Sequence, residues 1–174
     1  MNIVKKVVLL TVFILNISCE ADTKTTLYEK NGVKLTLVDG WTFSGDSDFY
    51  WAADRAVSAE TQLFSAMSVL IYYKDNRNLN EINLSTIINK VLPKYIREIE
   101  EGLVVNHQKK SVNYGTHSGT LLKYESSIDV TDVFLFELQV TDAKVFVLFI
   151  TDKEDFQFVE STIEMMLDGI AIGK

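Results

Sequence analysis

Val145-Phe146-Val147-Leu148-Phe149-Ile150 is apolar at every position, and a strand of that kind has no face to give to water. It must be covered on both sides. Val133 to Val140 reads as its hairpin partner, joined to it near Asp142, so the pair predicts the middle of a sheet held between other layers. Leu103 to Val112 and Gly119 to Ile128 read as two more strands, joined by the turn Asn113-Tyr114-Gly115. Thr25 to Lys30 and Val33 to Val38 flank Asn31-Gly32, which suits a two-residue hairpin turn because both positions need positive φ. Asp39-Gly40 marks a second turn, Trp41 to Phe43 a short strand and Leu63 to Tyr73 a long one. Phe49-Tyr50-Trp51 reads as a further edge strand or a loop with aromatic anchors. Ala52 to Thr61, small residues with Asp54, Arg55 and Glu60, reads as a loop or a short helix.

Two stretches switch to helical spacing. Asn78 with Glu81 resembles a capping box, after which Ile82, Leu84, Ile87, Ile88, Val91 and Tyr95 begin a stripe that runs through Ile99 to Gly102. Pro93 falls inside it and predicts a kink or break near Val91-Leu92, because its ring clashes with the preceding turn. Thr151 with Glu154 gives a second box, ahead of a stripe from Phe156 through Val159, Ile163, Met166 and Leu167 to Ile170. Both helices are amphipathic, so each can cover one face. The pattern predicts a single α+β domain over 25–174, with an antiparallel sheet of about six strands covered by helices on both faces.

The first nineteen residues follow neither period. Lys5 and Lys6 precede Val7 to Leu15, apolar apart from Thr11, and Asn16-Ile17-Ser18 leads to Cys19, the only cysteine. A basic head, a short apolar run and a small residue at the cut mark a secretory signal. The run is too short to span a bilayer, which takes about 20 apolar residues. The segment resembles a bacterial lipoprotein signal, with Asn16 standing where that motif prefers Leu or a similar apolar residue. The resemblance implies a signal peptide over 1–18 and two or three acyl chains on Cys19. One chain binds membrane marginally and each buried CH₂ adds about 0.8 kcal/mol, so several chains make a durable tether. The linker, 19–24, reaches less than about 20 Å even when extended, which keeps the folded domain close to the bilayer.

Charge then narrows the function classes. The chain carries a formal charge of −7, and losing Lys5 and Lys6 with the signal takes it from −7 to −9. Nucleic-acid binding needs a basic footprint, so no nucleic-acid partner is expected, and membrane attachment falls to the lipid rather than to charge. With Cys19 acylated no disulfide remains, and stability must come from an apolar core. A chain of about 150 residues can bury nearly 70% of its unfolded surface.

Three segments carry a resemblance to a known family. Val33 to Trp41 is a strand running into Asp39-Gly40-Trp41, Gly119 to Tyr124 is a strand entered through a glycine, and Val145 to Ile150 precedes the closing helix. Together they resemble the PsbP-like family over about Thr25 to Gly169, with Val38 where that family often has proline. The resemblance implies a three-layer sandwich and a module used mainly to bind partners, with no common active site.

A search for chemistry yields no catalytic residue. His107 and His117 lie on either side of the predicted Asn113–Gly115 turn and would need a third ligand and second-shell partners to hold a metal; they read as surface histidines. Gly115-Thr116-His117-Ser118-Gly119 puts His where a nucleophile elbow needs Ser. Asp46 and Asp48 are followed by Tyr50 and Ala52 where a calcium loop needs oxygen ligands and a glycine. No cofactor or metal is therefore expected. Trp41, Phe43, Phe49, Tyr50 and Trp51 read either as core or as a binding surface, aromatics being common interface anchors; Trp41, Tyr50 and Trp51 are the candidate binding residues. The expectation is a non-enzymatic, lipid-anchored protein of the bacterial cell envelope that binds an envelope protein partner. The alternative is a carrier of a small molecule or lipid, with a cleft between sheet and helix near Pro93.

Overall fold

A computed structural model describes residues 24–49, 53–96, 101–126 and 130–173. The signal segment, Cys19, Tyr50 and Trp51 lie outside the described residues. The fully apolar strand, β9 (Ala143–Thr151), sits at the centre of a seven-stranded antiparallel sheet of order β3-β4-β5-β9-β8-β7-β6. Its neighbours are β5 (Ala66–Tyr73) and β8 (Val130–Val140). The other strands are β3 (Trp41–Asp48), β4 (Arg55–Thr61), β6 (Val104–Tyr114) and β7 (His117–Ser126). Because side chains alternate along a strand, Val145, Val147 and Phe149 enter one core while Phe146 and Leu148 enter another on the opposite face.

The two faces are covered differently. Over the first lie the helix Phe156–Asp168 and a second, three-stranded sheet of order β1-β2-β10, made of β1 (Thr25–Lys30), β2 (Val33–Val38) and β10 (Ile170–Ile172). Val33, Leu35 and Leu37 of β2 and Val159, Ile163 and Met166 of the helix are fully or almost fully buried there. Burying each such side chain contributes about 1.5–3 kcal/mol. Among the described residues the second face carries no full helix. A run of short turns, Leu84–Thr86, Ile87–Val91 and Leu92–Tyr95, lays Ile87, Val91, Leu92 and Ile96 onto it.

The antiparallel α+β reading therefore stands, while the sheet of about six strands and the helices on both faces are corrected. Seven strands form the large sheet, and the segment after Asn78 is broken rather than a helix to Gly102. Pro93 explains the break: a wide turn just ahead of it, in which Leu92 N–H reaches back to Ile87 O, moves the preceding carbonyls clear of the proline ring. The loop or short helix expected for Ala52–Thr61 contains β4. Its Ala56 and Ala59 are small yet buried beside Val57, and pairing with β3 on one side and β5 on the other overrides the weak strand preference of the alanines.

Ile170 belongs to a strand and not to the helix stripe. The helix ends at Asp168, and Gly169 turns the chain beneath β2, where an added Cβ would lie 2.7 Å from Thr36 Cβ. The helix start also differs in detail. Asp152 Oδ1 accepts the Glu154 and Asp155 N–H groups, the task assigned by sequence to Thr151, whose hydroxyl instead meets Ser65 Oγ at 3.0 Å.

Candidate interaction surfaces

The β4–β5 hairpin is short and tightly bonded at its base. Thr61 N–H donates to Ser65 O at 2.9 Å, Phe64 N–H to Thr61 O at 3.2 Å, and Ser65 N–H to Thr61 Oγ1 at 3.1 Å. The base is also tied to the next layer, since Thr61 Oγ1 donates to Asp155 Oδ2 at 2.7 Å at the helix start. Thr61 and Ser65 are buried, yet the apex between them is apolar and bare: Leu63 is 52% and Phe64 90% exposed. Phe64 holds φ at 68°, a left-handed backbone that disfavours an L-residue by about 1–2 kcal/mol. Gly or Asn would sit there more easily. The sequence thus places a large aromatic ring in water, at a strained position, on a rigid mount.

At the other end of β4 lies a half-buried charge cluster. Arg55 Nε and Nη2 donate to Asp46 at 2.9 and 3.0 Å, and Nη1 and Nη2 reach Asn31 O and Lys30 O at 3.0 and 2.9 Å. Tyr28 OH donates to Asp46 Oδ2 at 2.6 Å, and Lys30 Nζ adds an ion pair at 3.2 Å. The Arg55 guanidinium holds the Asp46 carboxyl well below the usual carboxylate range. Burial, then the hydrogen bond to Asp46, pushes the Tyr28 phenol up. These bonds join Tyr28, Lys30 and Asn31 of the first hairpin to Asp46 and Arg55, and so fasten the hairpin β1–β2 to the large sheet.

The remaining sequence candidates separate. Trp41 is 4% exposed, donates from Nε1 to Thr162 Oγ1 at 3.1 Å and meets Phe149 edge-on; its side chain is core, which removes it from a binding surface. Phe49, beside Tyr50 and Trp51 in sequence, is exposed. His107 pairs with Tyr124 and His117 with Tyr114 along the β6–β7 ladder, which at about 3.3 Å per residue leaves them roughly 20 Å apart. His107 stacks on Tyr124, and His117 Nε2 meets Asp168 Oδ1 at 2.8 Å. Among the described residues no three His, Cys, Asp or Glu side chains converge as metal ligands would.

Sequence reasoning missed Leu63 and Phe64 by placing them inside a strand. Adjacent large apolar residues also occur inside β5 and β9, which are covered on both faces, so no local signal in the sequence sets Leu63 and Phe64 apart. An open cleft of about 800 Å³ lies at the β8–β9 turn, lined by Asn31, Asp75, Val140, Asp142 and Ile172 among others. Its lining includes no residue of the run around Pro93.

No family model matches the chain, and no curated protein matches it. Solved structures do. The solution structure of cyanobacterial PsbP from Synechocystis is similar at 12% identity and TM-score 0.48, over 90% of this chain and 98% of that one. The Saccharomyces cerevisiae Ran-binding protein Mog1p is similar at 9% identity and TM-score 0.46, over 86% and 96%. A Pseudomonas aeruginosa protein of unknown function is similar at 14% identity and TM-score 0.37, over 86% and 98%. The structural neighbours thus include a PsbP at low sequence identity.

Proposed function

We propose that this chain is a non-enzymatic binding module of the bacterial cell envelope, a lipoprotein with a PsbP-like domain tethered through Cys19, that docks a protein partner on Leu63 and Phe64. The observation that carries the docking reading is Phe64: an almost fully exposed ring at positive φ on a hairpin whose base is bonded to the next layer. Strain of that kind persists where the surroundings over-determine it and collects at binding sites. Aromatic anchors contribute a large share of interface energy. The tether reading rests on the sequence of the first nineteen residues.

Crosslinking in intact envelopes, followed by pull-down, tests both parts. The wild-type chain is expected to capture a defined partner. Phe64→Asn and Leu63→Ser are expected to lose it while melting at or above the wild-type temperature. Equal capture by both variants refutes the docking site. Cys19→Ala is expected to release the protein from the membrane fraction, and unchanged fractionation and acyl labelling refute the tether.

A further inference from the structure

The Leu63–Phe64 tip and the point where the domain meets its linker lie at one end of the molecule. Thr25, the first residue of β1, pairs with Val38 at the end of β2. Only Asp39 and Gly40 separate Val38 from Trp41, which pairs with Thr61 at the base of the tip. Strand partners about 5 Å apart, and a connection of at most about 3.6 Å per residue, put Thr25 within roughly 20 Å of Thr61. The linker ahead of Thr25, 19–24, spans less than about 20 Å. A tether at Cys19 would therefore hold Leu63 and Phe64 beside the bilayer rather than on the far side of the domain.

Charge decides what the tip meets there. Glu60 is exposed on the strand that enters the tip; Ala59 beside it faces the helix-side core, so Glu60 points to the other face of the sheet. Asp39 and Glu154 are exposed on the helix side. There an added Cβ on Gly40 would lie 2.6 Å from Phe158 Cζ, and Glu154 N–H donates to Asp152 Oδ1 at the helix start. Among the described residues the carboxylates of Asp39, Glu60 and Glu154 have no hydrogen-bond or ion-pair partner. Asp155 and Asp152, by contrast, are answered by the Thr61 hydroxyl and by backbone N–H groups. Lys153 is the one cation in the segments 39–40, 60–65 and 152–155. Anionic headgroups attract basic segments and repel acidic ones, so this rim keeps Leu63 and Phe64 from sinking into the lipid.

We infer that the tip docks on a protein embedded in the same bilayer, in an apolar pocket rimmed by Lys or Arg at the level of the lipid headgroups. The inference rests on the tether and docking reading above and adds the partner's chemistry and its place. Leu63 and Phe64 fill the pocket. Asp39, Glu60 and Glu154 face the basic rim, which steers association and excludes acidic partners. Lys and Arg suit that level of a membrane protein, because their stems lie in apolar surroundings while their charge reaches water.

The test uses the full chain in intact envelopes with Phe64→p-benzoylphenylalanine, which keeps an aromatic ring at the tip and crosslinks under light to what it touches. Mass spectrometry reads the captured segment. It is expected to belong to a protein that stays in the membrane pellet through an alkaline wash, and to carry Lys or Arg within about five residues of the crosslink. Glu60→Gln with Glu154→Gln is expected to lower the yield about fivefold at low salt and to remove its salt dependence; Glu60→Lys with Glu154→Lys is expected to lower it about tenfold or more. Both side chains are exposed, so neither pair should shift the melting temperature. Replacing the captured Lys or Arg by Glu should restore the yield of the Lys pair. A captured protein that the wash removes, an acidic captured segment, or a yield that neither charge variant changes each overturns the inference and leaves the docking site standing. Phospholipid captured in place of protein, or no capture at all, overturns the docking reading and this inference with it.

Discussion

Asp46→Ala tests what joins the two sheets. Asp46 on β3 and Arg55 on β4 have side chains 9% and 6% exposed, and the same guanidinium bonds the carbonyls of Lys30 and Asn31 in the β1–β2 turn. Deleting the carboxylate strands the Arg55 charge in a desolvated site, takes the acceptor from Tyr28 OH and removes the Lys30 pair. Removing one partner of a buried pair costs about 3–5 kcal/mol, a large share of the roughly 5–15 kcal/mol that holds a domain together. Urea titration at pH 7 reads this as a lowered midpoint with an unchanged slope. Asp46→Leu combined with Arg55→Met is expected to recover most of the loss, because apolar replacement of a whole buried pair is often close to neutral. Acid titration gives an independent reading. The Asp46 carboxyl titrates below its ordinary range because Arg55 holds it charged. The stability it confers is therefore complete above the unfolded value near 4 and is lost as the pH falls through the lower folded value. Asp46→Ala should flatten that acid limb. A loss under about 1 kcal/mol, with a double variant no more stable than the single one, would refute the assignment of the pair as the fastening.

Three further outcomes follow from other sites. Asp132 is buried, its Oδ1 meets no hydrogen-bond partner and Lys123 is 3.9 Å away; burial pushes its carboxyl up. The folded chain thus loses stability as the pH rises from the unfolded value through the raised one, so Asp132→Asn should stabilise by about 1 kcal/mol at pH 7 and by less at pH 4, measured by urea midpoints. Gly40→Ala should destabilise by about 1–3 kcal/mol, because φ is +89° and the new Cβ would lie 2.6 Å from Phe158 Cζ; a thermal melt by circular dichroism checks it. Phe64→Asn should leave stability unchanged or raise it by about 0.5–1 kcal/mol, since Asn accepts left-handed backbone more easily. A lowered melting temperature would show that the ring packs in the fold and is not held out for a partner.

What could be read from the sequence was what local pattern alone decides. β8 and β9 announce themselves because an apolar run with no polar face admits one kind of environment, and Asn31-Gly32 fixes the first hairpin by its backbone needs. β4 and β10 are decided by distant neighbours. Ala56 and Ala59 become strand because β3 and β5 bond them from both sides, and Ile170 leaves the helix because Gly169 brings the chain against Thr36. The surface was harder still. Trp41 reads as a binding residue by type alone, and its burial under the helix depends on Thr162, distant in sequence. Leu63 and Phe64 look like strand by composition, and only the bonds among Thr61, Phe64 and Ser65 place them at an apex.

β1 pairs with β2 alone and forms the outer edge of the small sheet. Tension applied ahead of Thr25 would load this six-residue strand first, entering at Thr25, which pairs with Val38. Peeling would first meet Tyr28, whose hydroxyl is held by Asp46, and then Lys30, where Arg55 grips the carbonyl. The strand then acts as a mechanical fuse: it yields under load while the seven-stranded sheet keeps its shape, and the clamp at its far end decides how far the yielding goes.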